Sequence, residues 1–384
     1  MDFYAEPAFF VLLVPLLAVA VALGLAGRSP QRFGCVASVL MCVLLFFRSP
    51  ASGLLFCGFV AMSAALYVWV RTAFAKDPDS EKAPFAYWAS LALTLAPLVV
   101  YKVGVLVKPD FLGFVGISYI TFKALQVLIE VKDGLIKDMS VAEYIGFLAF
   151  FPTITSGPIM RSRPFVDDLR AKLARDDYLL RLYQGLGWFV VGACYKFVAS
   201  AVAQWALWFV PSITTGAVAW LARTFFFGLD LFFDFAGYSD MAAGVGLILG
   251  FDVPRNFRAP FLATDILEFW DRWHITLSTW LRDFVFMRFS RFALSRKLFG
   301  DRVRVACVGF LLNMGLMGLW HGITVPYIAY GLYHGVLLAL FHLYQKKSKF
   351  YKANRRKRWY KIVSWACTMV FVFFGFALFA GYVL

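Results

Sequence analysis

The sequence predicts an all-α protein that crosses a lipid bilayer many times. Stretches without Asp, Glu, Lys or Arg recur along it: Pro7 to Gly27, Phe33 to Phe47, Ser49 to Val70, Pro84 to Tyr101, Phe197 to Ala222, Val305 to Phe341 and Ile362 to Leu384. A helix needs about 20 apolar residues to cross hydrocarbon, and several runs reach that length. The composition agrees: 61% of the 384 residues are hydrophobic and only 16% charged, against about half and a quarter in soluble domains. The basic excess, net charge +15, collects between the apolar runs. Positive-inside bias and anionic lipid account for that pattern, and it argues against nucleic-acid binding.

Roughly ten to twelve membrane segments are expected, some tilted, broken or re-entrant because their runs fall short of a full crossing. They are expected to form one membrane domain over 1–384, with N-terminal helices over 1–130, a core over 131–345, and a basic loop and last helix over 346–384. The N-terminal MDFYAEPAFF carries Asp2 and Glu6 and no basic segment. The first run is therefore read as a retained helix rather than a signal peptide. Arg28 and Arg32 follow it, which predicts an extracellular N-terminus. Arg71 to Pro84 is a polar joint. In 132–182, the apolar segment after KDGLIKDMS is interrupted by Pro152, Gly157 and Pro158, and a highly charged segment follows, read as an amphipathic surface helix. Residues 183–251 return to membrane helices and 252–304 are charged again. The patch Lys346 to Lys361 has no acidic residue. It should be cytoplasmic, which would put Leu384 outside after one further crossing. All six cysteines lie in apolar runs without metal-ligand spacing and read as buried, inert thiols, with no metal site.

Within the charged block, FWDRWHITLSTWLRDFVF (Phe269 to Phe286) reads as one amphipathic helix at the membrane interface. Asp265 and Glu268 have capping-box spacing. Trp270, Trp273, His274, Leu277, Trp280, Leu281 and Phe284 recur on one apolar face, which turns His274 inward. Two readings of His274 stand: a satisfied core histidine, or a functional one, since ionisable groups in membrane domains mark functional paths. His321 carries more information. The run from Val305 to Phe341 is too long for one crossing, and Gly322 and Pro326 are its natural breakers. Each half would span only about 25 Å, so the break should lie below the membrane surface. Non-helical backbone survives there only where protein buries it or a watery cavity lines it. His334 and His342 read as packing or interfacial residues.

At this point the chain resembles the membrane-bound O-acyltransferase family. The resemblance rests on Phe233 to Phe286 (FDFAGYSDMAAGVGLILGFDVPRNF through TWLRDFVF), LWHG at Leu319 to Gly322, GISYITFKALQ at Gly116 to Gln126, and SGPIMRSRPF at Ser156 to Phe165. Within the family it is similar to the branch that esterifies teichoic acids with D-alanine, because of SGPIMRSRPF, of FVFMRFSRF after the helix, and of the chain's length. The resemblance implies a ring of helices around a thinned centre with a funnel. It implies a donor held as a thioester on the phosphopantetheine arm of an acidic cytosolic carrier protein, with no tightly bound cofactor, and lipoteichoic acid as acceptor, reached with companion membrane proteins. It also implies His321 as the catalytic histidine and His274 as the second signature position.

The chemistry is consistent. Acyl transfer from a thioester to a hydroxyl needs a base, and imidazole suits it. The oxyanion needs donors, for which His274, Trp320 and N–H groups near Gly322 are candidates. No Ser or Cys nucleophile stands out beside a base, which favours direct transfer. Trp273, Trp280, Trp320, Gly322, Ser278 and Asn313 are the expected funnel residues. Arg161, Arg163, Arg282, Arg288 and Arg291 are either a rim that steers the carrier or a topology signal. O-acetylation of an exported polysaccharide is the other enzymatic reading. A transporter is the non-enzymatic one, although only Asp230, Asp234 and Asp240 offer intramembrane acids.

Overall fold

The protein is described here by a computed structural model covering residues 3–47, 49–76, 82–108, 111 and 113–383. Met1 and Leu384, whose extracellular placement the charge pattern predicts, lie outside the described residues. The elements are helical, with no strand among the described residues. In chain order they are α1 (Pro7–Leu25), α2 (Pro30–Phe46), α3 (Pro50–Lys76), α4 (Lys82–Val107), α5 (Ile117–Lys132), α6 (Val141–Ala149), α7 (Ser162–Arg170), α8 (Arg175–Cys194) and α9 (Ser200–Ile213). There follow α10 (Gly216–Ile248), α11 (Ile266–Trp270), α12 (Ile275–Leu281), α13 (Met287–Ser295), α14 (Arg302–His321), α15 (Val325–Lys347), α16 (Lys349–Asn354) and α17 (Arg358–Phe379). Proline opens α1, α2 and α3, where its missing N–H costs no intrahelical bond and its fixed φ suits the first turn.

Among the described residues eight helical stretches are long and apolar enough to cross a membrane: α1, α3, α4, the continuous Arg175–Ile213, α10, α14, α15 and α17. The protein is thus a multi-pass membrane protein. α2 is apolar but shorter. The remaining apolar runs form α5 and α6, with 16 and 9 residues, too short to span. The long helices turn large apolar side chains outward, Val11 at 71% exposure and Trp208 at 81% among them. Such a surface is stable against hydrocarbon, not against water.

The chain divides into two compact units. One comprises 1–193 with 237–254, and the other 194–236 with 255–384. In the first, α5 is buried nearly all round, its polar side chains included. Polar side chains on it find partners: Lys123 Nζ donates to Thr153 Oγ1 (3.0 Å) and the Phe147 carbonyl (3.3 Å), and Gln126 Nε2 to the Met160 carbonyl (3.2 Å), while Gln126 Oε1 has none among the described residues. Phe150, Phe165 and Phe251 fill the centre, with Phe165 stacked on Phe251 at 4.7 Å. At the surface, Ser140 and Glu143 form a capping box on α6. Arg170 of α7 then binds Glu143 (2.6 Å) and Asp138 (2.8 Å); the guanidinium holds the Glu143 carboxyl at about 2.

In the second unit the charge-free run from Val305 to Phe341 breaks where the sequence places the break. α14 ends at His321, Gly322 is extended, and α15 begins at Val325 with Pro326 in its first turn. The two helices close on glycine. A Cβ on Gly331 would meet the Met314 carbonyl at 2.4 Å, one on Gly318 the Tyr327 carbonyl at 2.4 Å, and one on Gly335 the Leu311 Cα at 3.0 Å. Small residues at this spacing let helix backbones meet where no hydrophobic force drives them together.

Gly331→Leu should therefore separate α14 from α15 and destabilise the protein by about 2 kcal/mol or more. Thermal unfolding in detergent checks this against Gly187→Leu, at a glycine with open space around it, which should unfold at nearly the wild-type temperature.

Candidate active site

The histidine at 274 is positioned by a break, not by a continuous helix. Asp265 caps α11 by accepting the Glu268 N–H (2.9 Å). Glu268 does not return to the Asp265 N–H as a capping box would. Its carboxylate accepts the Thr264 N–H (2.7 Å) and hydroxyl (2.8 Å) and pairs with Arg272 (2.6 Å). The helix expected over 269–286 stops at Trp270, restarts as α12 at Ile275 and passes into a π turn at Arg282–Phe286. The physical reason is Asn256. Its carbonyl accepts the Ile275 N–H (2.8 Å), and its side-chain oxygen accepts the Thr276 hydroxyl (2.6 Å) and N–H (3.3 Å). The first turn of α12 thus has its donors satisfied from outside, and His274 caps it at φ 43°, a left-handed conformation costly for residues other than glycine.

His274 is 3% exposed. The Phe235 ring meets it edge-on at 4.7 Å, and the Trp320 ring lies at 5.8 Å. Among the described residues its Nε2 has no hydrogen-bond partner. Burial holds the imidazole well below its ordinary range, and His321 nearby lowers it further, so His274 is neutral. His321 is the last residue of α14. Its ring contacts Trp320 at 4.7 Å, Phe379 at 5.1 Å and Tyr327 at 6.1 Å. The two histidines thus flank one tryptophan.

The other expected site residues fall into separate places. Trp273 is buried in an aromatic layer with Phe257 (5.1 Å), Phe269 (5.4 Å) and Phe376 (5.1 Å). Trp280 is buried against Phe284 at 5.0 Å. Gly322 forms the break, where a Cβ would strike the Tyr327 ring at 2.5 Å. Ser278 and Asn313 line a cavity of about 580 Å³ with Arg258, Arg282, Met314 and Met317. Asn313 Oδ1 is buried there without a partner among the described residues. Of the arginines, Arg161 and Arg163 belong to the first unit, with Arg163 near Glu130 at 3.7 Å. Arg282, Arg288 and Arg291 belong to the second; Arg282 pairs with Asp283 at 3.1 Å and Arg291 is exposed. His334 is buried among Trp270, Tyr330 and Tyr333, and His342 lies beside Phe310 at 5.7 Å. Sequence reasoning missed Asn256 and Phe235, although both lie in the quoted stretch from Phe233 to Phe286.

Residues 50–384 match the family model described as MBOAT, membrane-bound O-acyltransferase family. The chain is 34% identical over 389 residues to a protein of Bacillus subtilis named teichoic acid D-alanyltransferase, covering 98% of each. It is 33% identical over 405 residues to the Streptococcus thermophilus protein of the same name, covering 99% of this chain and 95% of that one. A probable alginate O-acetylase of Pseudomonas syringae is 35% identical over 274 residues, which is 69% of this chain and 48% of that protein.

The left-handed backbone at 274 predicts a ranking of variants. Asparagine accepts that conformation far better than a β-branched residue does. His274→Asn should unfold close to wild type and His274→Val at a lower temperature, by the equivalent of about 1–2 kcal/mol. The buried neutral imidazole adds a pH dependence. The unfolded chain takes up a proton below about 6.5 and the folded one does not. Stability is thus full above that range and is lost as pH falls below it. Thermal unfolding across pH should show a shallower acid loss in His274→Asn than in wild type.

Proposed function

The chain belongs to the membrane-bound O-acyltransferase family and is a membrane acyltransferase, and from that premise we propose that it moves D-alanine from a carrier-protein thioester to lipoteichoic acid with His321 as general base. The observation that carries this reading is the placement of His321 and His274 on either side of Trp320, in a chain that aligns end to end with proteins named teichoic acid D-alanyltransferase. The similarity to alginate O-acetylases leaves about half of those proteins unmatched, which favours D-alanine over acetate. Family membership leaves no support for the transporter reading.

The donor is the alanyl thioester on the phosphopantetheine arm of an acidic cytosolic carrier. The 580 Å³ cavity suits such an arm: Asn313 Oδ1 is positioned to accept an amide N–H, and Ser278 and the two methionines give it polar and adaptable walls. The acceptor hydroxyl gives its proton to His321 as its oxygen attacks the thioester carbon. The new C–O bond forms and the C–S bond breaks. The proton passes to the departing thiolate, which leaves as the free thiol of the arm. Neutral His274 donates a hydrogen bond to the carbonyl oxygen as it gains charge, and the dry aromatic surroundings strengthen that bond. Trp273, Trp280 and Trp320 hold the walls and Gly322 admits the reacting groups to the break.

The protein sits in the cell membrane with both termini outside, as the basic loop at Lys346 to Lys361 directs. The carrier docks on the cytoplasmic side through Arg161, Arg163, Arg282, Arg288 and Arg291, and companion membrane proteins bring the acceptor.

Proteoliposomes given purified carrier charged with labelled D-alanine test this directly. His321→Ala should reduce ester formation by at least about 100-fold, the scale of a lost general base, while protein level and carrier binding persist. Near-normal transfer by that variant would remove His321 from the chemistry, and acetate rather than D-alanine esters would favour the polysaccharide reading.

Carrier affinity should fall as salt rises, because exposed charges are screened beyond about 8 Å at physiological ionic strength. It should fall further in the Arg288→Glu and Arg291→Glu variants. Affinity indifferent to both would leave the arginines as a topology signal alone.

A further inference from the structure

An apolar cavity of the second unit has neither histidine in its walls. It has a volume of about 650 Å³ and is lined by α10, α17 and Phe261, with Trp220, Thr224, Trp365, Met369 and Phe373 among its walls. Both helices are membrane-spanning. Leu221 (59% exposed), Phe225 (46%) and Val370 (69%) keep its mouth open to the hydrocarbon. The two indoles spend their N–H groups elsewhere, Trp220 on the Tyr382 carbonyl (3.3 Å) and Trp365 on the Phe261 carbonyl (2.8 Å). They therefore present only ring surface to the cavity.

One polar group breaks this pattern. Thr224 is 3% exposed, lines the cavity, and its hydroxyl has no hydrogen-bond partner among the described residues. A buried hydroxyl without a partner is costly, and a helical threonine ordinarily bonds a carbonyl one turn back. A ligand bearing an acceptor next to a hydrocarbon chain would satisfy it. The neighbouring Arg223 is exposed and is the one charged residue between Gly216 and Leu229.

We propose that this groove seats one acyl chain of a membrane glycerophospholipid, with Thr224 donating to the ester carbonyl and Arg223 facing the phosphate. The apolar walls take the methylenes, which gain little on moving there from equally apolar lipid. Specificity therefore rests on the hydroxyl and the guanidinium, not on the walls. The seated chain also backs the aromatic layer behind the histidine site. Phe261 stacks on Phe373 at 5.7 Å, Phe373 meets Phe376 at 5.6 Å, and Phe376 meets Trp273 at 5.1 Å. Trp273 is the residue before His274. Lipid binding here is independent of which acyl group the enzyme transfers.

The test is photo-crosslinking of the full chain in phosphatidylglycerol vesicles doped with phosphatidylglycerol that carries a diazirine in one acyl chain. Adducts are mapped by peptide mass spectrometry. Adducts should concentrate in 220–229 and 365–374. They should be lost in Met369→Trp, which fills the groove, and persist in Leu40→Trp, at an exposed position on α2. Thr224→Val keeps the side chain's shape and should lower groove labelling about five-fold, the effect of one hydrogen bond. An ether-linked analogue of the probe, lacking the carbonyl, should label wild type as weakly as the ester labels Thr224→Val. Should Met369→Trp fail to elute as a single species, the Thr224→Val and ether comparisons decide alone. Adducts spread evenly over α1, α3, α4 and the groove would overturn the proposal, as would equal labelling by ester and ether probes.

Discussion

The constraint on which the second unit depends is the break between His321 and Val325. α14 and α15 are each long and apolar enough to cross the membrane, so the chain must reverse sharply between two crossings that pack face to face. The reversal is held by α15 folding directly back on α14 over Gly318, Gly331 and Gly335, and by the rings of Tyr327 and Phe379 beside the last residue of α14. Any side chain at those glycines would separate the helices and open the break to lipid. The histidine at the end of α14 thus takes its place from the packing of α14 on α15. Glycine contacts and aromatic faces set the imidazole beside Trp320.

The same economy applies at His274. A continuous amphipathic helix through 269–286 would set His274 on one face of a cylinder. The observed turn instead bends the chain so that the imidazole meets Phe235 and Trp320 together. The left-handed backbone stores a cost, offset by the hydrogen bonds from α12 to Asn256. A left-handed residue whose buried Nε2 has no partner among the described residues is poor design for stability alone.

The helices and the central break were legible in the sequence because their causes are local. Charge-free runs set the long helices, prolines at 7, 30 and 50 mark helix starts, and Gly322 with Pro326 marks the break. The number of spans was less legible. Periodicity does not separate a crossing helix from a short buried one such as α5, whose surroundings are distant in sequence. The interruption at 271–274 was not legible either, since its cause is Asn256, which lies many residues upstream and acts through backbone bonds that no periodicity records. Asp265 was read correctly as a cap, but the reach of Glu268 to Thr264 depends on how the preceding loop is bent. Local chemistry gave each histidine a reason to be noticed; their meeting at Trp320 required the fold.

The intramembrane charges complete this account. Asp230 and Asp234 lie one helical turn apart on α10. Asp234 pairs with Lys196 and Asp230 accepts the Ser200 hydroxyl at 2.6 Å. Lys196 stands inside the π turn at Tyr195–Ala199 that joins α8 to α9, and a π turn re-aims side chains that a regular helix would set elsewhere. A lone carboxylate in this setting would be expensive, and a lone ammonium equally so. Paired, they cross-link α9 to α10 where Phe232 and Phe235 leave α10 toward Trp273 and His274. A transporter would need such acids free to exchange ions along a path, whereas even the half-exposed Asp234 is paired with Lys196. Here they are engaged with partners on the adjoining helix, next to the rings that support His274. Their arrangement fixes a helix whose aromatic side chains must stay in register with the histidine site, which is the demand of an enzyme rather than of a moving gate.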